Sequence, residues 1–175
     1  VVVDMEQPGK VLFYNLDGKS YANSFQTELA MEPLQKLQVR LAYRFFDVKT
    51  TFQDQLLQKP FTANHRAFAN LGYETGLWKF DYTVSYNSSK RLPATFNSGQ
   101  TRSPEYVVMN AQVSVTLGKQ HPIDIYIGGE NLTNFMQQQV VLGGHDPFGP
   151  QFDASQIWGP VGGRMFYTGL RYKLK

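Results

Sequence analysis

A two-residue alternation of apolar and polar side chains runs through most of this chain and restricts its fold more than any other feature. It is nearly strict in Lys36–Phe45 and recurs in Trp78–Asn87 and Val107–Leu117. Successive side chains of a β-strand point to opposite faces, so this period predicts strands with one apolar and one polar face. No segment has convincing helical periodicity. We therefore predict an all-β, antiparallel fold.

The same pattern predicts about nine strands in the whole chain. The remaining predicted strands are Val1–Met5, Lys10–Leu16, Tyr21–Met31, Arg66–Glu74, Ile123–Asn131 and the terminal segment Arg164–Leu174. Many of them have about ten residues, whereas an ordinary strand has about 5–6. A strand that crosses a bilayer at a tilt needs about 9–11 residues, so these lengths favour membrane-spanning strands.

The predicted connections alternate between short turns and long loops. The short turns are 7–9, 32–34, 75–77 and 118–122, and the long loops are 53–64, 88–105 and 135–163. Asp17-Gly18 is an exception, predicted as a tight hairpin turn on the side of the long loops. Short turns at one rim and long loops at the other are typical of outer-membrane barrels, with the loops outside the cell.

Composition narrows the classes of protein further. The chain has no Cys, which excludes disulfides and thiolate metal sites, and its net charge of +3 comes from dispersed basic residues. No nucleic-acid interface is therefore expected. Aromatic residues make up 14% of the chain. The sequence contains no run of about 18 apolar residues, so no transmembrane helix is predicted. The chain begins without an initiating Met or a signal peptide, so we expect a piece of a longer protein.

The end of the chain carries the first family resemblance. Arg164–Leu174 alternates, and Tyr167, Gly169, Tyr172 and Leu174 are spaced as in the pattern polar, any, Gly, two of any, aromatic, any, apolar. This arrangement resembles the C-terminal targeting strand of outer-membrane β-barrels.

Two further segments make the resemblance more specific. Ile123–Asn134 is an alternating strand that runs into Glu-Asn-Leu-Thr-Asn, followed by a long loop and by Gly163-Arg164. This order resembles the last two strands of TonB-dependent outer-membrane receptors. Residues 15–28 and 37–43 are similar to a hairpin and a following strand of the same family, although Phe25 stands where the family usually has Gly.

The resemblance implies that residues 1–175 are the C-terminal portion of a transmembrane β-barrel of about 22 strands. The plug domain, the N-terminal strands and the region that engages the TonB system would then lie outside this chain. The implied location is the outer membrane of a Gram-negative cell. The implied function is uptake of a nutrient such as a siderophore, vitamin, metal chelate or glycan, without catalysis and without a cofactor. The implied partners are the lipid bilayer, the protein's own plug, the TonB system and a possible surface lipoprotein.

The loop 135–163 supplies the candidate residues for an external ligand or partner surface. They are His145, Asp146, Phe148, Phe152 and Trp158. The alternative is that these aromatic side chains only pack the loop against itself. His145-Asp146 alone is too little for catalysis or for zinc, because His65 and His121 lie on other segments.

Charged side chains on the polar strand faces are the second candidate group, because they would face the lumen of a barrel. Candidates for contacts with a plug or for a polar route are Arg40, Arg44, Arg66, Asp81 and Glu130. The alternative for each is ordinary water-exposed or mutually paired lumen charge.

Two other functions remain open at this point. One is a smaller porin-like or adhesin barrel that is nearly complete in this chain. The other is a soluble β-sandwich binding module, whose strands also alternate. The nature of any substrate does not follow from the sequence.

Overall fold

The structure is a computed structural model that describes residues 1–5, 7, 10–93, 100–118 and 123–172. The strands are β1 Val2–Asp4, β2 Leu12–Tyr14, β3 Ser20–Leu34, β4 Leu37–Phe52, β5 Gln55–Gln58, β6 His65–Thr75, β7 Trp78–Asn87, β8 Tyr106–Leu117, β9 Ile123–Glu130 and β10 Met165–Tyr172. Across these described ranges, no helix long and apolar enough to cross a membrane is found. The predicted all-β class is confirmed.

One large sheet contains eight of the strands. Its order is β10-β9-β8-β7-β6-β4-β3, with β5 paired to β4 beyond the end of β6. Every neighbouring pair is antiparallel, so the chain winds back and forth as a meander. Within the described residues the sheet is open, because β3 and β10 do not pair with each other. The predicted antiparallel pairing is confirmed, whereas closure into a barrel is not present in this structure.

The strand count differs from the prediction because the loop 53–64 contains a strand. Gln53 and Asp54 have φ angles of 46° and 67°. Two successive left-handed residues form the kind of two-residue turn that closes a tight hairpin. The chain therefore folds straight back along β4 as β5, so the described residues contain ten strands rather than the predicted nine or so.

The predicted hairpin at Asp17-Gly18 was wrong. β2 pairs with β1 in a separate two-stranded sheet and not with β3. Tyr14 donates a hydrogen bond to Asp4 across this small sheet (2.8 Å). Gly18 instead carries the chain over Thr51, at a φ of 117° and with no room for a Cβ atom. Gln53, at the loop end of β4, also donates to Asp4, so the small sheet lies at the loop end. The prediction had placed its turn 7–9 with the short turns at the opposite end of the large sheet. Pro8 and Gly9 of that turn lie outside the described residues.

The short turns lie together at the opposite end of the large sheet. The turn predicted at 32–34 is displaced to Gln35–Lys36, since β3 continues through Pro33 by a bulge between Met31 and Leu34. Lys36 there has a φ of 69°, and its N–H donates to Glu32. The turn predicted at 75–77 is confirmed at Gly76, with a φ of 58°. Most of the turn 118–122 lies outside the described residues.

The two faces of the large sheet differ in chemistry along all seven strands of its main path. The cross-strand register aligns the apolar side chains into continuous rows, for example Leu29, Leu41, Ala69, Val84 and Met109. We call this the apolar face. The other side, the polar face, carries the charged and amide side chains, such as Arg40 paired with Glu28 at 2.7 Å.

Burial is concentrated at the loop end and not on the apolar face. Among the described residues, the buried hydrophobic side chains are Val2, Phe52, Ala63, Leu92 and Leu142, all outside the middle of the sheet. On the apolar face Ile127 is 62% exposed, Phe166 68% and Leu170 66%. No second layer of the described chain covers these side chains.

Two tyrosines and two glycines lock the register of β9 and β10 on the polar face. Tyr126 lies opposite Gly169 and Tyr167 lies opposite Gly128. A Cβ atom added at either glycine would collide with the opposite tyrosine ring. The two rings meet edge to face at 6.3 Å, and Tyr167 donates to Gln112 on β8. Such a glycine covered by a cross-strand aromatic ring stabilises a sheet at a residue that would otherwise weaken it.

Candidate functional site

The loop end of β7, β8 and β9 holds the most elaborate side-chain arrangement in the described chain. Its centre is an aromatic cluster in which Tyr106 stacks on Phe135 with centroids 4.8 Å apart and an angle of 11°. The Trp158 ring packs at a tilt against both, with its centroid 6.4 Å from that of Tyr106 and 6.2 Å from that of Phe135. The cluster joins the start of β8 to two distant points of the loop 135–163.

Lys90 joins residues 88–93, which follow β7, to this cluster. The residue is only 5% exposed. Its ammonium group lies over the Tyr106 ring at 5.2 Å, donates to the Tyr106 hydroxyl at 3.2 Å, and also donates to the main-chain carbonyl of Trp158. A cation above an aromatic ring gains electrostatic attraction, more so when water is excluded. Lys90 thus connects two long loops.

Gln137 holds the loop 135–163 in its shape from within. The side chain is 4% exposed. Its Oε1 accepts from the N–H groups of Trp158 and Gly159, and its Nε2 donates to the carbonyls of Gln139 and Gln156. The amide thus makes all four bonds to main-chain groups of the loop, which would otherwise be costly to bury.

Asn131 performs the same task where β9 ends. It adopts a φ of 49° and is 7% exposed. Its Nδ2 donates to the carbonyls of Phe135 and Gly162, and its Oδ1 accepts from the Phe135 N–H. Asn134, also left-handed, accepts from the Arg164 N–H at 2.9 Å. The Glu-Asn-Leu-Thr-Asn segment is therefore the structural clamp between β9, the loop and β10.

A cavity of about 770 Å³ lies beside the aromatic cluster. Its wall combines aromatic rings with amide side chains from the loops 88–105 and 135–163. Its wall includes Tyr86, Glu105, Phe135, Gln139, Gln156 and Trp158.

The structure does not gather the five predicted loop residues into one site. Trp158 lines the cavity and is half-buried in the cluster. His145, Asp146 and Phe148 lie on an exposed succession of turns away from the cavity wall, with Phe148 fully exposed. Phe152 is 40% exposed and lies outside the cavity wall as well. The role predicted for these residues stays a prediction.

The predicted lumen residues all lie on the polar face, but their surroundings differ. Arg40 forms the ion pair with Glu28, and Asp81 accepts from the Asn70 amide at 3.2 Å. Arg44 lies directly opposite Arg66 in the β4–β6 register, so two like charges face each other.

Arg44 and Glu130 are the less satisfied members of this group. The Arg44 guanidinium lies over the Phe46 ring at 5.3 Å, and its buried Nε has no hydrogen-bond partner among the described residues. Glu130 lines a polar cavity of about 560 Å³ with Tyr126, Tyr167 and Arg171. These placements agree both with contacts to a plug or a polar route and with the alternative of ordinary water-exposed or paired lumen charge.

Sequence reasoning missed the residues that organise the loop end. Lys90 and Gln137 stand in no recognisable motif, and the resemblance marked Asn131 only as part of a family segment. A glutamine near a Gly/Pro-rich loop was the available signal for Gln137. Three of its four main-chain partners lie 19 or more residues further along the chain, so the local sequence does not reveal them. Within the described ranges, no cluster of three or more His, Asp or Glu side chains could hold a metal ion.

Comparison with known proteins adds no family to this description. No family model matches the sequence, and no curated protein matches it.

Proposed function

We propose that this chain is the C-terminal part of the barrel of a TonB-dependent outer-membrane receptor, which takes up a nutrient. The single observation that carries the membrane part of this proposal is the apolar face. It runs without interruption across seven strands and remains open to the surroundings. Apolar patches larger than a few hundred Å² are rare on soluble monomers and mark contact with a membrane or a partner.

The dimensions and polarity of the sheet support the same proposal. Strands β6, β7 and β8 have 11, 10 and 12 residues, which suits a tilted crossing of a bilayer. The apolar side chains alternate with a polar face, as expected when lipid lies on one side and a wet lumen on the other. Short turns at one end and long loops at the other fit the same layout.

The open edges favour a larger barrel over a small one. Main-chain groups at a free edge are costly in lipid, so a membrane-spanning sheet has to close. Seven strands in a meander with both edges free supply part of a closed wall. The receptor family is preferred because the clamp around Asn131 and the terminal strand occur in the order typical of that family.

A soluble β-sandwich is the rival function. It would bury the apolar face against a second sheet about 10 Å away. The only other sheet in the described chain has two strands of three residues each, too few to cover that face.

Assembly into the outer membrane tests the proposal. In the full-length protein, Tyr172→Ser replaces the aromatic residue of the terminal pattern, and Phe148→Ser is the matched control at an exposed loop tip. We expect Tyr172→Ser to lower the amount recovered in the outer-membrane fraction, with the control at the wild-type level. Recovery of the wild-type protein in the aqueous phase without detergent would contradict the membrane proposal. Uptake that continues without a TonB system would contradict the receptor assignment.

A further inference from the structure

The cavity at the loop end has the chemistry of a ligand site, and no role has yet been assigned to it. Its volume of about 770 Å³ falls within the range of about 300–1,000 Å³ that is typical of small-molecule sites. It lies among residues 92, 100–107, 133–142 and 156–158, and Lys90 and Gln137 bond to the main chain on this side of the sheet. Buried hydrogen bonds therefore support part of its wall.

The wall offers flat apolar rings together with uncharged hydrogen-bonding groups. Tyr86, Phe135 and Trp158 supply the rings, and Gln139 and Gln156 are among the amides. An amide side chain both donates and accepts, so it suits a ligand whose hydroxyl groups do the same. Aromatic rings suit the flat faces of sugar rings, which carry C–H groups.

Charge argues against an anionic ligand. Among the described residues that line the cavity there is no Lys or Arg, and Glu105 is the one ionisable carboxylate. The Tyr86 hydroxyl donates to that carboxylate at 2.6 Å. Lys90, the nearest buried cation to the aromatic cluster, is already engaged by the Trp158 carbonyl and the Tyr106 hydroxyl. A carboxylate- or phosphate-rich ligand would find no counter-charge in this wall.

Gln156 forms part of the wall but is held by the chain itself. The residue is 6% exposed, and its Nε2 donates to Asp153 at 3.2 Å. Its Oε1 is buried and has no hydrogen-bond partner among the described residues. Because this oxygen has almost no accessible surface, the amide offered to a ligand is the exposed one of Gln139.

We propose that this cavity binds a neutral, polyhydroxylated ligand, a short oligosaccharide. A sugar ring stacks on the aromatic wall, and its hydroxyl groups bond to the exposed amides, among them Gln139. The proposal rests on the proposed function in placing the cavity on the outer side of the membrane and in making its ligand the class of substrate that the receptor takes up.

The two tryptophans of the chain make a direct binding assay available. Trp78 lies on the apolar face at the short-turn end, whereas Trp158 lines the cavity. In the full-length protein, with Trp78 and any tryptophan outside residues 1–175 replaced by Phe, Trp158 reports on the cavity alone. The purified protein is titrated with maltotriose, cellotriose, xylotriose and triacetylchitotriose, and with citrate as an anionic comparison. We expect a saturable change in fluorescence with at least one trisaccharide and none with citrate.

Substitution of the amides then ties the signal to the cavity. Gln139 is exposed in the wall and its side chain makes no hydrogen bond within the described chain, so Gln139→Ala keeps the fold. Loss of one neutral hydrogen bond of about 1 kcal/mol predicts binding weaker by about five- to tenfold. Gln35→Ala, in the distant short turn, is the matched control and should bind as the parent does.

The possible results are decisive in both directions. No response to any of the four trisaccharides overturns the proposal, as does equal affinity in Gln139→Ala and Gln35→Ala. A response to citrate alone replaces it with an anion site. Failure of the membrane account is read separately, from the outer-membrane fraction. A soluble protein that still binds a trisaccharide through Gln139 would refute the receptor and keep the oligosaccharide site.

Discussion

At the scale of single residues, buried amide side chains decide where the long loop 135–163 lies. Asn131 and Gln137 direct their donors and acceptors to main-chain groups that the sheet leaves unpaired. This is the general requirement that buried peptide groups find partners, met here by side chains because loops have no ladder of their own. Loop anchoring thus explains the role of Asn131 in the Glu-Asn-Leu-Thr-Asn segment.

Asn131→Ala tests this explanation. The substitution leaves the carbonyls of Phe135 and Gly162 without their donor and retains a left-handed φ that alanine disfavours. We expect a loss of about 2–4 kcal/mol in the free energy of local unfolding of the loop. Limited proteolysis within 135–163 measures this loss as faster cleavage. Asn23→Ala, at an exposed position of β3, serves as the control, and equal cleavage of the two variants would contradict the account.

At the scale of elements, the period-two pattern predicted most of the sheet. The bounds of β7 match the predicted strand, and β8 and β9 differ from theirs by one residue. The pattern succeeds because each strand has one uniformly apolar face. It failed at β5, where Leu56-Leu57 breaks the alternation. The hairpin predicted from Asp17-Gly18 was a separate error, because Gly18 is needed for the close approach of the chain to Thr51 and not for a turn between paired strands.

The organisation of the loop end could not be predicted in this way. Lys90 and Trp158 are 68 residues apart and meet only after the meander has brought β7, β8 and β10 into line. Their contact depends on pairing across the sheet and carries no local periodicity. Of the five predicted loop residues, only Trp158 lines the cavity.

The paired tyrosines and glycines of β9 and β10 give a prediction at this scale. Gly169→Val introduces a Cβ atom into the space of the Tyr126 ring. Overpacking of this kind costs about 1–3 kcal/mol, which equilibrium unfolding in denaturant would detect. Gly72→Ala is the control on the same face, because its Cβ would meet Gln38 only at an ordinary 3.7 Å. Adding Tyr126→Ser to Gly169→Val should recover part of the loss. A Gly169→Val variant as stable as Gly72→Ala would refute the locking role.

At the scale of the whole molecule, most apolar side chains of the large sheet lie on one exposed face, and few of them are buried at its centre. Such a structure is stable in water only if something covers the face, whereas in a bilayer the lipid does so. In the proposed barrel, the long loops form a wet site at the outer end and the polar face lines the lumen. The proposed receptor function and the proposed oligosaccharide site occupy different parts of this arrangement.

A charge placed on each face distinguishes the two environments. Ile127→Arg lies on the apolar face of β9, and Gln112→Arg lies on the polar face of β8. In lipid, an arginine near the middle of the bilayer costs about 2–4 kcal/mol, while one on the polar side costs far less. Unfolding by denaturant in vesicles should show that difference. Equal losses in the two variants would argue against lipid contact.

The most direct test of the central claim is a spin-label scan of β8 in bilayers. The chain contains no cysteine, so each introduced cysteine carries the only label once any cysteine outside residues 1–175 has been replaced by serine. The labelled positions are Met109, Asn110, Ala111, Gln112, Val113 and Ser114. The account predicts that the three apolar-face positions, Met109, Ala111 and Val113, collide readily with dissolved oxygen and little with a water-soluble nickel complex. The three polar-face positions should lack this oxygen preference, so that accessibility alternates with a period of two. Labels on the apolar face that reach the nickel complex freely, or that neither reagent reaches, would contradict the claim that this face lies in lipid.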